Sequence, residues 1–355
     1  MAKGKIESRW QDKVINHNQI GGIETSVLDN GLGKGNRIAW VNTGSGLRYK
    51  IVIDRGLDIA EAFYNQYSLT WLSHAGVTSA QPQAGWEWLY RFGGGLLTTC
   101  GLTHTGPPED DKSGDRGLHG RISNTPATVE SIVQPDPTAG KLQMSITATV
   151  KQSRIFGPNL ELRRTISSTI GKPNIKIKDI VTNVGNATSP HMILYHCNYG
   201  WPLVDKGTDI IWKGKWTTPD SEAGRKILNS KNNFHKCSEP LKECSGGNEA
   251  CAFINITADK KGICNVGLYN SRLSLAVAMR YKKKQLPWLT NWQYWGKGEY
   301  VTGIEPGTNP PIGQAEAEKQ KKLIYIAPAK SRTYEVEIKV LTEDKQISNF
   351  IKDAS

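Results

Sequence analysis

The chain has no apolar run near the roughly 18 residues that a membrane-crossing helix needs, which argues against a membrane partner. Met1–Trp10 lacks the apolar stretch and small-residue cleavage site of a secretory leader, so a cytoplasmic address is the expectation. The six cysteines, at 100, 197, 237, 244, 251 and 264, include no C-x-x-C pair. Thiols kept reduced account for them better than a disulfide framework or a zinc site, with Cys237 and Cys244 the nearest thing to a disulfide candidate. Gly33-Lys34-Gly35 and Gly93-Gly94-Gly95 do not continue into the Gly-Lys-Ser/Thr of a phosphate loop, and no strand–glycine loop–helix unit suggests a dinucleotide. Amphipathic helices are scarce as well; the best candidate, Ala315–Lys322, is short and polar. Neither a repeat of fixed period nor a linker divides the chain, so residues 1–355 read as one domain with its core over about 20–342.

What is present suits a folded β protein. Hydrophobic residues at 37% and charged residues at 22% supply enough apolar surface for a core. The formal charge of +12 is spread along the chain, with short clusters only at Lys282–Lys284 and Lys319–Lys322. Neither cluster sits in a helix-turn-helix, finger or RNP pattern, so a solvated lysine-rich surface is expected and no nucleic-acid partner. Period-two alternation runs through Asn174–Lys178 and Tyr334–Val340, while Ser145–Val150 and Glu161–Ile170 are rich in Thr, Ile and Val. Turn signals punctuate such runs at Asn30-Gly31, Pro135–Gly140, Gly171–Pro173, Asn183–Asn186 and Gly246-Gly247. The fold class is therefore all-β, a large antiparallel sandwich.

Residues 85–124 and 190–220 are irregular, aromatic and polar, the texture of segments that build a site at strand ends. His191 and His196, five apart, would face opposite sides of one strand and make poor metal partners. Three segments are informative together. Gly117–Arg121 sets His119 between a leucine and a glycine in a turn; Tyr195–Gly200 sets His196 at the end of an apolar strand; Gly303–Gly307 sets Glu305 before Pro306 at a strand edge. Alone, each such residue is more often structural, but two histidines and a glutamate form a plausible acid–base set, because both types can be tuned towards neutral pH.

At these residues the sequence resembles the aldose 1-epimerase (galactose mutarotase-like) superfamily, and within it the DUF4432 branch with its deoxyribose mutarotase-like proteins. The resemblance is carried by Ile53–Ile59, Gly93–Leu102, Gly117–Arg121, Tyr195–Pro202 and Gly303–Gly307, in that order. It implies a β-supersandwich with a sugar cleft across one sheet, and an isomerase that interconverts the anomers of a small-molecule sugar. By the same resemblance Glu305 is the base, His196 the acid and His119 a ligand near the ring oxygen. Arg55 and Asn198 are weaker candidates for sugar contacts, and no counterpart is apparent for the aspartate that reads sugar hydroxyls in better-known epimerases. Acid–base ring opening needs no metal or other cofactor, and a monomer or homodimer is expected. The alternatives on this fold are a lyase or isomerase acting on a glycoside or keto-sugar, or a non-catalytic sugar binder. The positive charge would also suit an anionic sugar.

Overall fold

The structure is a computed structural model that describes residues 13–81, 84–111 and 114–354; Met1–Trp10, read above for want of a leader, lies outside them. It is built from antiparallel sheets. A five-stranded meander runs Gly22–Val27, Arg37–Asn42, Leu47–Val52, Asp58–Tyr64 and Tyr67–Ser68, each strand beside the next. An eight-stranded sheet follows the spatial order Asp209–Ile211, Ile263–Asn270, Leu275–Lys282, Ser331–Leu341, Asn174–Asn183, Leu160–Thr169, Gln143–Gln152 and Thr128–Val133.

The third sheet carries the candidate residues. Its order is Gly214–Thr217, Ala250–Ile256, Trp288–Trp295, Tyr300–Gly307 and Ser189–Gly200, and the last of these pairs onward with both Ile324–Ile326 and Thr98–Leu102. One apolar core, from Ile23 to Val340, joins side chains of these three sheets; a fourth, two-stranded sheet of Glu109–Asp111 and Gly114–Arg116 lies outside it. The alternation in Asn174–Asn183 and Ser331–Leu341 is what puts Ile175, Ile177, Val181, Val336, Ile338 and Val340 into that core. Full burial of a Val or Ile side chain is worth about 1.5–3 kcal/mol, so the inward rows of these strands fix their register.

Two expectations need correction. His196 and Glu305 do not sit at strand ends: Ser189–Gly200 and Tyr300–Gly307 run straight through them, side by side within the sheet. A proline inside a strand is tolerated here because the ladder is interrupted at it. Pairing is formed at Leu194–Gly307 and again at Cys197–Ile304, and the register between them places His196 opposite Glu305. The second correction concerns helices. Gln314–Lys319 is helical, as its polar pattern suggests, but the longest helix among the described residues is Asp344–Ala354. Its Ile347, Phe350, Ile351 and Ala354 fall at helical spacing and pack on Ile211, Ala276, Ala278 and Leu341. No helix among the described residues is long and apolar enough to cross a membrane.

Candidate active site

Side chains at directly paired positions share one face of a sheet, so the register defines the floor of the site. The row through His196 reads Thr98, His196, Glu305, Thr290, Phe253 and Thr217. One step along lie Asn198, Gly303, Trp292 and Cys251. The intervening residues Tyr195, Cys197 and Tyr199 point the other way, into the main core. His191 also faces away, held between the Leu102 carbonyl and the Tyr334 hydroxyl, as the strand period required.

His196 Nδ1 lies 3.3 Å from Glu305 Oε1, with side-chain exposures of 7% and 2%. Among the described residues neither atom has a hydrogen-bond partner, and the same is true of Thr290 Oγ1 and Asn198 Oδ1. Buried polar atoms are rarely left unpaired, so four gathered on one floor mark a place where a polar ligand or water completes them. Asn198 spends its amide on the Gly95 and His196 carbonyls. Aromatic rings wall the pair. Phe92 lies 5.0 Å from the His196 ring and Trp292 5.5 Å, while Trp88 stacks on Phe92 at 4.3 Å.

His119 arrives from the loop opposite, its ring 5.7 Å from that of His196 and 4.8 Å from Trp88. Its backbone is left-handed, with φ +57°, a conformation uncommon for histidine that the loop enforces. Gly120 follows at φ +76°, where a Cβ would collide with the Gly101 carbonyl. The Gly106 N–H donates to His119 Nδ1 at 3.3 Å, which leaves the proton of a neutral ring on Nε2, available to donate.

Burial decides the electrostatics. It pushes the His196 imidazole down, to about 3, and holds His119 well below its ordinary value, with His196 and His104 adding to the second effect. It pushes Glu305 well above the carboxylate range, and the charge of Glu249 pushes the same way. Glu249 precedes the Ala250–Ile256 strand beside Trp292; the residue is exposed, yet the protein around its carboxyl raises it. Sequence reasoning missed Glu249, which follows a glycine turn with no distinguishing signal, and Thr290, which only the register reveals.

Arg55 is brought near the site but not into it. Its Nε donates to the Ser123 carbonyl, its two terminal nitrogens to Thr78 and to the Arg91 carbonyl. The Ser123 hydroxyl in turn accepts from the Trp88 indole at 3.2 Å. Arg55 thus ties together the backbone on either side of the Trp88–Phe92 wall. Among the described residues no group of three His, Cys, Asp or Glu side chains is disposed to hold a metal.

Gly303 shares the Glu305 face, and a Cβ there would run into Glu305 Oε1. Because the obstructed atom ends a flexible side chain, Gly303→Ala should move the carboxylate rather than the strand. We expect an activity loss of about 10-fold or more, since small misplacements of reacting groups are costly, with the unfolding midpoint nearly unchanged. Loss of fold in place of activity would refute this account of Gly303.

Sequence comparison places residues 33–340 on the family described as "Domain of unknown function (DUF4432)". No curated protein matches the chain. Among solved structures, a "putative aldose 1-epimerase" from Klebsiella pneumoniae is similar with a TM-score of 0.86 at 23% identity, over 96% of this chain and 90% of that one. A galactose mutarotase-like protein from Clostridium acetobutylicum has a TM-score of 0.63 at 12% identity, over 92% and 100% of the two chains. Galactose 1-epimerase from Lactobacillus acidophilus has 0.60 at 11%, over 90% and 98%. At these identities the likeness is one of fold, the galactose mutarotase-like sandwich.

Proposed function

The chain belongs to the DUF4432 family, and on that footing we propose that it is a carbohydrate enzyme, an aldose 1-epimerase that opens and recloses a free sugar with Glu305 and His196. The observation that carries the reading is the close, buried, unpartnered His196–Glu305 pair on an aromatic-walled floor. We read the whole chain as one domain around the core that joins its three larger sheets.

Mutarotation asks for a proton to leave the anomeric hydroxyl while the ring oxygen gains one. Both oxygens are bonded to the same carbon, so an acid and a base only 3.3 Å apart can serve them together. Glu305 takes the O1 proton, the C1–O5 bond breaks, and His196 delivers its proton to O5. The aldehyde turns about C1–C2 and the steps reverse on its other face. The pair holds one proton between its two members throughout. Burial favours the uncharged arrangement, Glu305 protonated and His196 neutral. Sugar hydroxyls that hydrogen-bond to these polar atoms favour the ionised arrangement that starts the reaction. Trp88, Phe92 and Trp292 offer flat faces to the C–H side of the ring. His119 holds the ring through its Nε2 proton, and Arg55 steadies the aromatic wall.

The direct test is saturation-transfer NMR of anomer exchange on a panel of free aldoses, corrected for the spontaneous rate. A sugar that binds without faster exchange would identify a binder and end the enzyme reading.

Two further outcomes follow. Because the pair must carry a single proton, kcat/KM should be level across a wide pH range. The acid limb should be set by His196, low, towards about 3, and the alkaline limb by the raised Glu305. An acid limb at ordinary carboxylate pH with no alkaline limb would contradict the shared proton. His119→Asn should raise KM more than it lowers kcat, as fits a group that binds ground and transition states alike. A fall in kcat at unchanged KM would instead give His119 a part in proton transfer.

A further inference from the structure

The floor that carries Glu305 continues past it, and its charge changes along the way. Trp288 lies two residues from Thr290 on the same strand face, about 7 Å along. Asn255 is paired opposite Trp288, and Lys215 opposite Asn255, so all three share the face of Glu305. Two more lysines reach this row from outside the sheet. Lys322 sets its ammonium 4.6 Å over the Trp288 indole, and Lys283 donates to Asn255 Oδ1 at 3.0 Å.

Among the described residues none of the three ammonium groups is in an ion pair, although Lys322 also donates to Gln320 Oε1 at 2.5 Å, whereas the neighbouring Lys282 and Lys319 are bound to Glu335 and Glu316. Lys322 acts on Glu316 at a distance, but that carboxylate is engaged by Gln320 as well as Lys319. At the other end of this floor, beyond Trp292, stands the carboxylate of Glu249. The floor is therefore polar along its length: negative at the Trp292 end, positive at the Trp288 end, with the acid–base pair between.

We infer that Lys215, Lys283 and Lys322 form a subsite for the terminal phosphate of a phosphorylated aldose whose anomeric carbon rests on His196 and Glu305. The inference rests on the mutarotase reading above. Three ammonium groups exceed what one carboxylate needs and suit a phosphate dianion, which lysine binds as a point charge without the fixed fork of arginine. Trp288 offers the apolar surface between the ring and the anion. Glu249 would repel a phosphate brought in the wrong way round, which fixes the direction of binding.

The experiment compares kcat/KM for anomer exchange of D-glucose, D-galactose and 2-deoxy-D-ribose with that of their terminal phosphate esters, and titrates inorganic phosphate by calorimetry. At least one ester should exceed its parent sugar by about 10-fold or more, as three partly exposed charges would provide, and the advantage should shrink in 0.5 M salt by about 3-fold or more. In K283Q/K322Q the ratio of ester to parent should fall towards one, and phosphate binding should weaken in step. Equal use of esters and parent sugars, or a preference untouched by the lysine changes, would overturn the subsite. D-glucuronate accepted as well as the best ester would overturn its assignment to phosphate. If no sugar exchanges faster but phosphate binding still depends on the lysines, the mutarotase reading fails and the anion subsite stands.

Discussion

Arg164→Met should destabilise the protein by roughly 3–5 kcal/mol, because it strands two buried carboxylates. Arg164 is wholly buried, its guanidinium shared between Asp58 at 2.8 Å and Asp179 at 2.6 Å. Asp58 also accepts from the backbone and side chain of Thr99, and Asp179 from the Tyr195 hydroxyl. One cation thereby ties the five-stranded meander, the eight-stranded sheet and the site sheet together, directly beneath His196. A buried pair is seldom a large net gain over an apolar replacement, but removing one partner leaves an uncompensated charge in low dielectric. The check is urea unfolding of R164M beside R164M/D58N/D179N. The single variant should unfold at much lower urea, and the triple variant should recover at least half the loss. A single variant within 1 kcal/mol of the parent would show that the network is not what holds the sheets in register.

That network explains why some segments announced themselves in the sequence without saying what they do. Asp58 belongs to Ile53–Ile59 and Thr99 to Gly93–Leu102, two of the stretches that carry the family resemblance. Both are framework: they meet Arg164 on the far side of the floor from His196 and Glu305. Arg55, in the same stretch, has its donors on backbone carbonyls and the Thr78 hydroxyl. Strand periodicity showed four strands of the eight-stranded sheet, Gln143–Gln152, Leu160–Thr169, Asn174–Asn183 and Ser331–Leu341, since alternation is a local property of the chain. It could not show that Glu305 would meet His196, 109 positions away in the chain. That follows from which strands become neighbours, a non-local choice. Thr290 is the clearest case, a plain strand threonine until the register sets it opposite Glu305. Pro306 misled the reading of local structure, because proline signals a strand end unless, as here, the ladder is interrupted to admit it.

Glu305→Gln and His196→Asn should each lower kcat by roughly 10²-fold or more while sugar binding is largely kept. Glutamine keeps the shape of Glu305 and can still occupy the space over Gly303, but it can neither take nor release the anomeric proton. Asparagine at 196 keeps a donor and removes the titrating ring. The decisive quantity is the double variant. If one proton passes within a single His196–Glu305 unit, the first substitution already disables the unit and the second finds little left to remove. E305Q/H196N should then be worse than either single variant by much less than the product of their losses. Multiplied losses would mean two independent contributions and no shared proton. The pH profile offers a second readout that a merely structural role would not move: E305Q should lose the alkaline limb altogether, because the group that sets it no longer titrates. Near-wild-type exchange in E305Q, measured by saturation-transfer NMR, would remove Glu305 as the base. The mechanism proposed for this site would go with it, whatever the sugar proves to be.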